Sequence, residues 1–369
     1  MHAIVVGAGV LGASTAYHLA RSGAAVTVFD RLDLGRATSA GAGIICPWVS
    51  AIDDPAYRAI ASGGARYYPK LVSLLTEDGE HELGYRGVGA LVVPDDPSLL
   101  DEVERTLHAR RADWPEIGAV GRLTPAQAVA LFPPLAPGRA AVHLDGAARV
   151  DGRLLNVALL NAAQKHGAIL RNTVSEILVS NGRARGVGTE DGTVEADVVV
   201  VTAGAWAPAL LAPLGITLDV QPQRGQIVHL RVAADTSGWP VLLPLNSYYL
   251  LTFDDCRVVV GATRETGSGF DYRVTAKGQA EVLNIGLAVA PGLADAEVVE
   301  TRIGFRPMGP RNRPLLGPCD GIAGLLVGNG LGASGLTIGP YAGALLADAA
   351  CSRAPDLDLA PYSPQRDYP

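Results

Sequence analysis

The chain is poor in lysine. Lys70, Lys165 and Lys277 are its only ones, so nearly all positive charge rests on arginine. No basic run is long enough to track a phosphate backbone, and the formal net charge is −7. Both points argue against nucleic acid as the main partner. Four cysteines (Cys46, Cys256, Cys319, Cys351) are scattered without a C-x-x-C pair, so neither a metal site nor a disulfide framework is indicated. No apolar run approaches the roughly 18 to 20 residues of a membrane span. The first strand is expected to begin near Ala3, which leaves no room for a cleavable leader, and a reducing cytoplasm is the expected setting. Charged residues make up 18% and hydrophobic ones 48%, so a sizeable core is expected and disorder is not. A length of 369 residues suggests two domains rather than one.

What is present begins with a strand pattern at Ala3–Val6, a helix pattern at Val10–Arg21 and a second strand pattern at Ala25–Phe29. That is a βαβ unit with its glycines, G-A-G-V-L-G from Gly7 to Gly12, at the first turn. Gly7 permits the tight turn, Gly9 the approach of a pyrophosphate, and Gly12 the packing of helix on strand. The helix N-terminus offers amides to the anion. Asp30, closing the second strand, can accept from both hydroxyls of an adenosine ribose and repels a 2′-phosphate. An adenine dinucleotide other than NADP is expected. Asp30 does not separate NAD from FAD. A second glycine-rich turn, Gly328–Gly335, also feeds a helix, one predicted to run to about Ala350. A long cofactor touching separated segments would need such a second site, and this helix end could stabilise an anionic ring. An ordinary tight connection is the alternative.

Between these ends, helices are predicted over 63–80, Leu99–Arg110, Gly152–His166 (capped by Asp151) and Lys277–Ala290. The stretch 36–43, RATSAGAG, reads as too small and flexible for an element interior. The proline-rich region around Pro94–Pro97 and Pro133–Pro137 reads as an insertion with its own packing. Asn181-Gly182 and Asp191-Gly192 mark a three-stranded meander over 175–196. Strands are predicted at Asp197–Val201, Gln226–Val232, Ser247–Phe253, Arg257–Ala262 and Gly324–Val327.

The order and spacing of IVVGAGVLGASTAYHLARSGAAVTVFDR, ATSAGAGI, VVVVTAGAWAPAL, QPQRGQIV, RVVVGAT, IGFRPMGPRNRPLLGP and GNGLGASGLTIGPYAGALLADA resemble the FAD-dependent D-amino acid oxidase superfamily, which includes glycine oxidase, sarcosine oxidase and D-amino acid dehydrogenase. The match runs nearly the full length. It implies an α/β plus α+β fold: a discontinuous Rossmann-like FAD-binding domain (1–84, 142–219 and 303–369) and an antiparallel-sheet substrate domain (85–141 and 220–302) covering the flavin. It places FAD along Gly7, Gly9, Val10, Leu11 and Gly12, Asp30 and Arg31, Thr38, Ser39, Ala40, Gly43 and Ile44, Val174, and Ala203, Gly204 and Trp206. The C-terminal wall is Gly330, Gly332, Ala333, Ser334, Gly335, Leu336 and Thr337, with Arg306 beside the cofactor too. Three departures stand out. Asp30 replaces the family's usual glutamate. The turn GLGASG lacks the histidine and arginine of glycine oxidases, with Ala333 matching the arginine. No cysteine lies near Phe305–Met308, so non-covalent FAD is expected.

The resemblance also matches Arg306 to the arginine that holds a substrate carboxylate, a role suited to its planar fork. Arg302, Arg311 and Arg313 lie close enough in sequence to compete. Tyr249 matches the tyrosine whose hydroxyl reaches that carboxylate. Strand alternation puts Tyr249 with Leu251 and Phe253, and Tyr248 on the opposite face; two packing aromatics are the plain alternative. His143 and His229 read as structural, and Cys46 as a small buried residue near the flavin. The implied reaction is oxidation of the C–N bond of a D-amino acid, glycine, sarcosine or cyclic imino acid to an imine, by hydride passage to flavin, for which no protein base is required. Alternatives are a dehydrogenase using an electron carrier instead of oxygen, a flavin subunit without turnover, and an NAD-linked dehydrogenase. A homo-oligomer is left open.

Overall fold

A computed structural model describes residues 1–172, 174 and 176–365. The opening βαβ unit forms at His2–Val6, Val10–Arg21 and Ala25–Phe29, with the helix bounds as expected from the sequence. Ala13 and Ala16 are fully buried, as a helix lying close on a sheet requires. A six-stranded sheet runs in the order Leu315–Pro318, Leu325–Asn329, Val198–Val201, His2–Val6, Ala25–Phe29, Ile169–Arg171. Its pairings are parallel except that of the edge strand Leu315–Pro318. Val6 pairs with both Phe29 and Val201, and Val201 with Val327. The residues that follow, Gly7, Asp30, Thr202 and Gly328, therefore meet along one carboxyl edge. Open sheets with parallel strands bind ligands at that edge. The helices Val10–Arg21, Pro55–Glu77, Gly152–Lys165 and Gly335–Ala350 pack on one face. The meander lies against the other, its strands pairing in sequence order; Ser175, its predicted start, falls outside the described residues.

A nine-stranded sheet forms the rest of the frame. Its pairings are antiparallel, with one exception: Val241–Leu243 runs parallel to Ala90–Val92. The proline-rich region does not pack on its own. Its strands Ala90–Val92, Val120–Leu123 and Ala141–Leu144 extend this sheet. Ala90, Val92 and Leu144 share a core with Ile227, Leu251 and Val259, because those short apolar runs have no second layer of their own to bury against. Ala276–Val289 covers the far face through Val282 and Val289.

Other differences have local causes. The helix expected over 63–80 starts at Pro55, where Asp54 caps the amide of Tyr57 at 3.0 Å and proline takes the first position. The RATSAGAG stretch holds one helical turn, Ala37–Ala40. The strand expected from Ser247 begins at Tyr249, since Leu245 (φ 63°) and Ser247 (φ 69°) are in left-handed backbone that no strand uses. Gln221–Arg231 is longer than expected because Glu297–Met308, not foreseen as a strand, pairs along all of it. That ladder carries the second sheet to the first. The Phe305 amide donates to the Gly35 carbonyl at 2.8 Å, and bridges join Phe305 to Arg36 and Met308 to Leu331.

Candidate active site

Between the two sheets lies a cavity of about 660 Å³. One end is made of turns. Gly7 has φ 103°, and a Cβ there would stand 2.6 Å from the Thr202 carbonyl oxygen. Thr202 fixes the turn by donating its hydroxyl to the Gly7 carbonyl at 2.8 Å. A Cβ on Gly9 would meet only Thr38 Oγ1, at 3.2 Å, so Gly9 leaves the backbone open to the cavity. Thr38 Oγ1 also accepts from the Val10 amide at 2.9 Å, binding the RATSAGAG turn to the helix start. That first turn carries no acidic residue, so no charge within the helix opposes its positive end toward the cavity.

Asp30 stands at this end with its carboxylate already oriented. One oxygen accepts from the Ala8 amide at 2.6 Å and the other from Leu32 at 2.7 Å, and Arg36 Nη1 lies 3.6 Å away. Each oxygen keeps a second lone pair for a ligand hydroxyl. Across the cavity, Asn329 ties two glycine loops together. Its amide donates to the Gly204 carbonyl at 2.9 Å, and its carbonyl accepts from the Gly330 amide at 2.8 Å. Thr337 Oγ1 donates to the Ile44 carbonyl at 3.0 Å, and Ser334 shares a 2.7 Å hydrogen bond with Tyr57.

Most residues singled out from the sequence share this cavity wall. They are Gly7, Gly9, Val10, Leu11, Asp30, Arg31, Thr38, Ala40, Gly43, Ile44, Val174, Ala203, Gly204, Trp206, Tyr249, Arg306, Gly332, Ala333, Ser334, Gly335, Leu336 and Thr337. Three do not face it. A Cβ on Gly12 would lie 1.9 Å from the Gly7 carbonyl oxygen, so Gly12 packs helix on turn. The Ser39 carbonyl accepts from Arg153 Nε at 3.0 Å, on the side of the Gly152–Lys165 helix. Gly330 packs on Gly309 and Arg313, where a Cβ would lie 3.3 Å from each backbone.

The other end is made of side chains. Arg306 projects from Glu297–Met308 and donates through Nη1 to the Thr263 carbonyl at 3.0 Å, with Gln223 Oε1 at 3.4 Å. Burial pushes its pKa down, opposed by the Tyr249 hydroxyl, which accepts a hydrogen bond from it. Among the described residues no carboxylate pairs with Arg306. The competing arginines are placed otherwise. Arg302 pairs with Glu300 at 2.6 Å, Arg313 pairs with Asp54, and Arg311 is exposed outside the wall. Two glycines make room. A Cβ on Gly225 would lie 2.5 Å from Arg306 Nη2, and one on Gly261 would lie 2.7 Å from the Tyr249 hydroxyl.

Tyr248 and Tyr249 divide as alternation requires. Tyr249 packs with Leu251 and Phe253, whereas Tyr248 packs on the other face and donates its hydroxyl to Glu281. Tyr248 nevertheless reaches the wall, as do Cys46, Arg36, Asn329 and Arg264. Loss of water pushes the Cys46 thiol up to about 12, which keeps it protonated. His143 and His229 lie outside the wall, and burial holds His229 neutral, with its pKa lowered to about 3. Sequence reasoning missed Arg264, Asn329 and the two glycines. Only the QRGQ and GATR stretches hinted at them, since nothing local says that a strand glycine faces an arginine from another strand.

Among the described residues no helix is long and apolar enough to cross a membrane, and no group of three or more His, Cys, Asp or Glu could hold a metal ion. The profile of the family described as FAD dependent oxidoreductase (DAO) matches residues 2–349. An uncharacterized oxidoreductase, YurR, of Bacillus subtilis (strain 168) is 51% identical, with 98% of each chain covered. The glycine oxidase of Pseudomonas aeruginosa (strain PAO1) is 33% identical, again with 98% of each covered. Among solved structures, iminodiacetate oxidase from Chelativorans sp. BNC1 superposes with a TM-score of 0.96 at 54% identity over 98% of both chains. With the turn glycines, Asp30 and the two-sheet frame in place, this chain belongs to the FAD-dependent oxidoreductase (DAO) family and is an enzyme of it.

Proposed function

We propose that the enzyme oxidises the C–N bond of a small amine bearing a carboxylate on the carbon next to nitrogen. The observation that carries this reading is Arg306, a guanidinium inside the cavity with no carboxylate beside it among the described residues. A buried unpaired charge is costly, and a substrate carboxylate is the partner that removes the cost. Tyr249 adds a hydroxyl to the same anion site, and the Thr263 carbonyl fixes the guanidinium's orientation. No histidine lines the described wall, and Cys46 stays protonated, so the amine is expected to arrive neutral rather than lose its proton to a side chain.

Asp30 would hold the adenosine ribose. The turns at Gly7–Gly9 and Ala203–Gly204 and the helix start at Gly335 would hold the rest of FAD, the first sheet serving as the cofactor domain and the second as the substrate domain. When bound, FAD takes the two electrons that leave with imine formation. Phe305–Met308 contains no cysteine, so the cofactor is read as non-covalent. The described cysteines are free thiols, in keeping with a cytoplasmic setting. The identity to an iminodiacetate oxidase and to a glycine oxidase supports the amine reading.

The test is bleaching of flavin absorbance without oxygen, screened over glycine, sarcosine, iminodiacetate, D-amino acids and cyclic imino acids. Reduction by a carboxylated amine is expected. Reduction only by amines lacking a carboxylate, or by none, would sink the proposal, the latter favouring a subunit without turnover. Fast recovery of colour in air marks an oxidase, and slow recovery a dehydrogenase that passes electrons to a carrier.

A further inference from the structure

Arg264 also lines the cavity, just past the strand Arg257–Gly261, and no other feature of the site accounts for it. Its side chain is exposed, and no carboxylate among the described residues lies within ion-pair distance of it. Glu265, its neighbour in the chain, and Glu281, the partner of the wall residue Tyr248, are engaged elsewhere. Glu265 receives Arg224 at 2.6 Å, Gln226 at 2.7 Å and the Thr263 hydroxyl at 2.7 Å. Glu281 receives the hydroxyl of Tyr248. The positive charge of Arg264 instead bears on Tyr248, Tyr249 and Arg306. Two guanidiniums thus line one cavity, the Thr263 carbonyl that receives Arg306 lying next to Arg264 in the chain, with two phenols in the same wall and no built-in anion paired with either.

We propose that Arg264 and Arg306 form a paired anion site, and that the substrate is an amine carrying two carboxylates. This rests on the reading of Arg306 as a carboxylate clamp. Arg306, deeper and fixed by Thr263, takes the carboxylate on the carbon to be oxidised. Arg264, nearer to solvent, takes the second one. A monocarboxylate would neutralise one guanidinium and leave the other without an anionic partner. A dicarboxylate relieves both, and the preference follows from repulsion as much as attraction. Because Arg264 is exposed, its share is weaker than that of Arg306 and is screened by salt.

The holoenzyme is assayed by anaerobic flavin reduction with iminodiacetate and with sarcosine, which keeps the secondary amine and one carboxylate but has methyl in place of the second arm. Iminodiacetate should be favoured in kcat/KM by about tenfold or more. Arg264→Ala should lower kcat/KM for iminodiacetate by about 10- to 100-fold and leave sarcosine unchanged. Arg264→Lys should fall between, with a steeper loss at high salt. A binding readout runs in parallel. Oxydiacetate, which has oxygen in place of the oxidisable nitrogen, should perturb the flavin spectrum with a Kd raised by the same factor in Arg264→Ala, whereas methoxyacetate should not respond. Equal losses on both substrates, or none on either, overturn the dicarboxylate assignment while sarcosine turnover keeps the parent reading alive. Failure of every carboxylated amine in the wider screen, D-amino acids and cyclic imino acids included, overturns both.

Discussion

The two ends of the cavity are built on different principles. At the glycine end the cavity presents backbone, exposed because Gly7, Gly9 and Gly204 carry no side chain to cover it. At the arginine end it presents side chains from segments far apart in sequence: Tyr249, Arg264 and Arg306. Glycines occur there too, but for the opposite purpose. Gly225 and Gly261 are empty so that a neighbour's guanidinium and phenol can lie where their side chains would be. A turn that offers amides depends on a few consecutive residues. A cluster of side chains assembled across a sheet depends on register, since a slip of one residue would turn Arg306 away from Gln223 and Gly225.

Substitutions should separate the two ends. The largest effect is expected at Arg306. Replacing it by alanine should cost roughly 3 to 5 kcal/mol in kcat/KM, as when one member of a buried charge pair is lost. Lysine should restore only part, because a point charge lacks the fork. FAD content should stay normal in both, and loss of flavin in Arg306→Ala would show that the two ends are not independent. Asp30→Ala should give the converse. FAD affinity, measured by titrating apoprotein, should fall by about 1 to 3 kcal/mol. The KM of FAD-saturated enzyme should hold, and an unchanged FAD affinity would remove Asp30 from the cofactor site.

Gly225→Ala sharpens the contrast further. It keeps every charge yet pushes the Arg306 head from its place, so kcat/KM should drop roughly tenfold through misplacement alone. Full activity would mean that the guanidinium has room to move and that its fixed position does not matter.

The smallest effect belongs to the frame shared by both ends. His18, under the first sheet, and His229, in the second, are held neutral by burial, each with its pKa lowered to about 3. The unfolded chain takes up protons at these histidines below about pH 6.5, while the folded chain does not until about pH 3. Stability should therefore fall as pH drops through that window. Melting temperatures compared at pH 7 and pH 5 should decline, and less steeply in His229→Asn. An unaltered slope in that variant would mean that His229 is charged in the fold.

Much of the glycine end could be read without a structure. Gly7, Gly9, Gly12 and Asp30 act through local geometry: a positive φ, an open Cα, a close helix–strand contact, the end of a strand. Such geometry leaves its trace in neighbouring residues. The helices over Val10–Arg21 and Gly152–Lys165 and the meander were legible for the same reason, since periodicity, caps and turn pairs are local signals. The strand Glu297–Met308 was not, because its hydrophobic pattern is interrupted by Glu300, Thr301, Arg302 and Arg306. Nor were the merger of the proline-rich segment into the large sheet, the turn of Ser39 and Gly330 away from the cavity, or the presence of Arg264 in its wall. Each depends on which strand lies beside which, and in what register. Pairing between segments a hundred or more residues apart is decided by burial of shared faces across the whole fold, and no stretch of sequence carries that information alone.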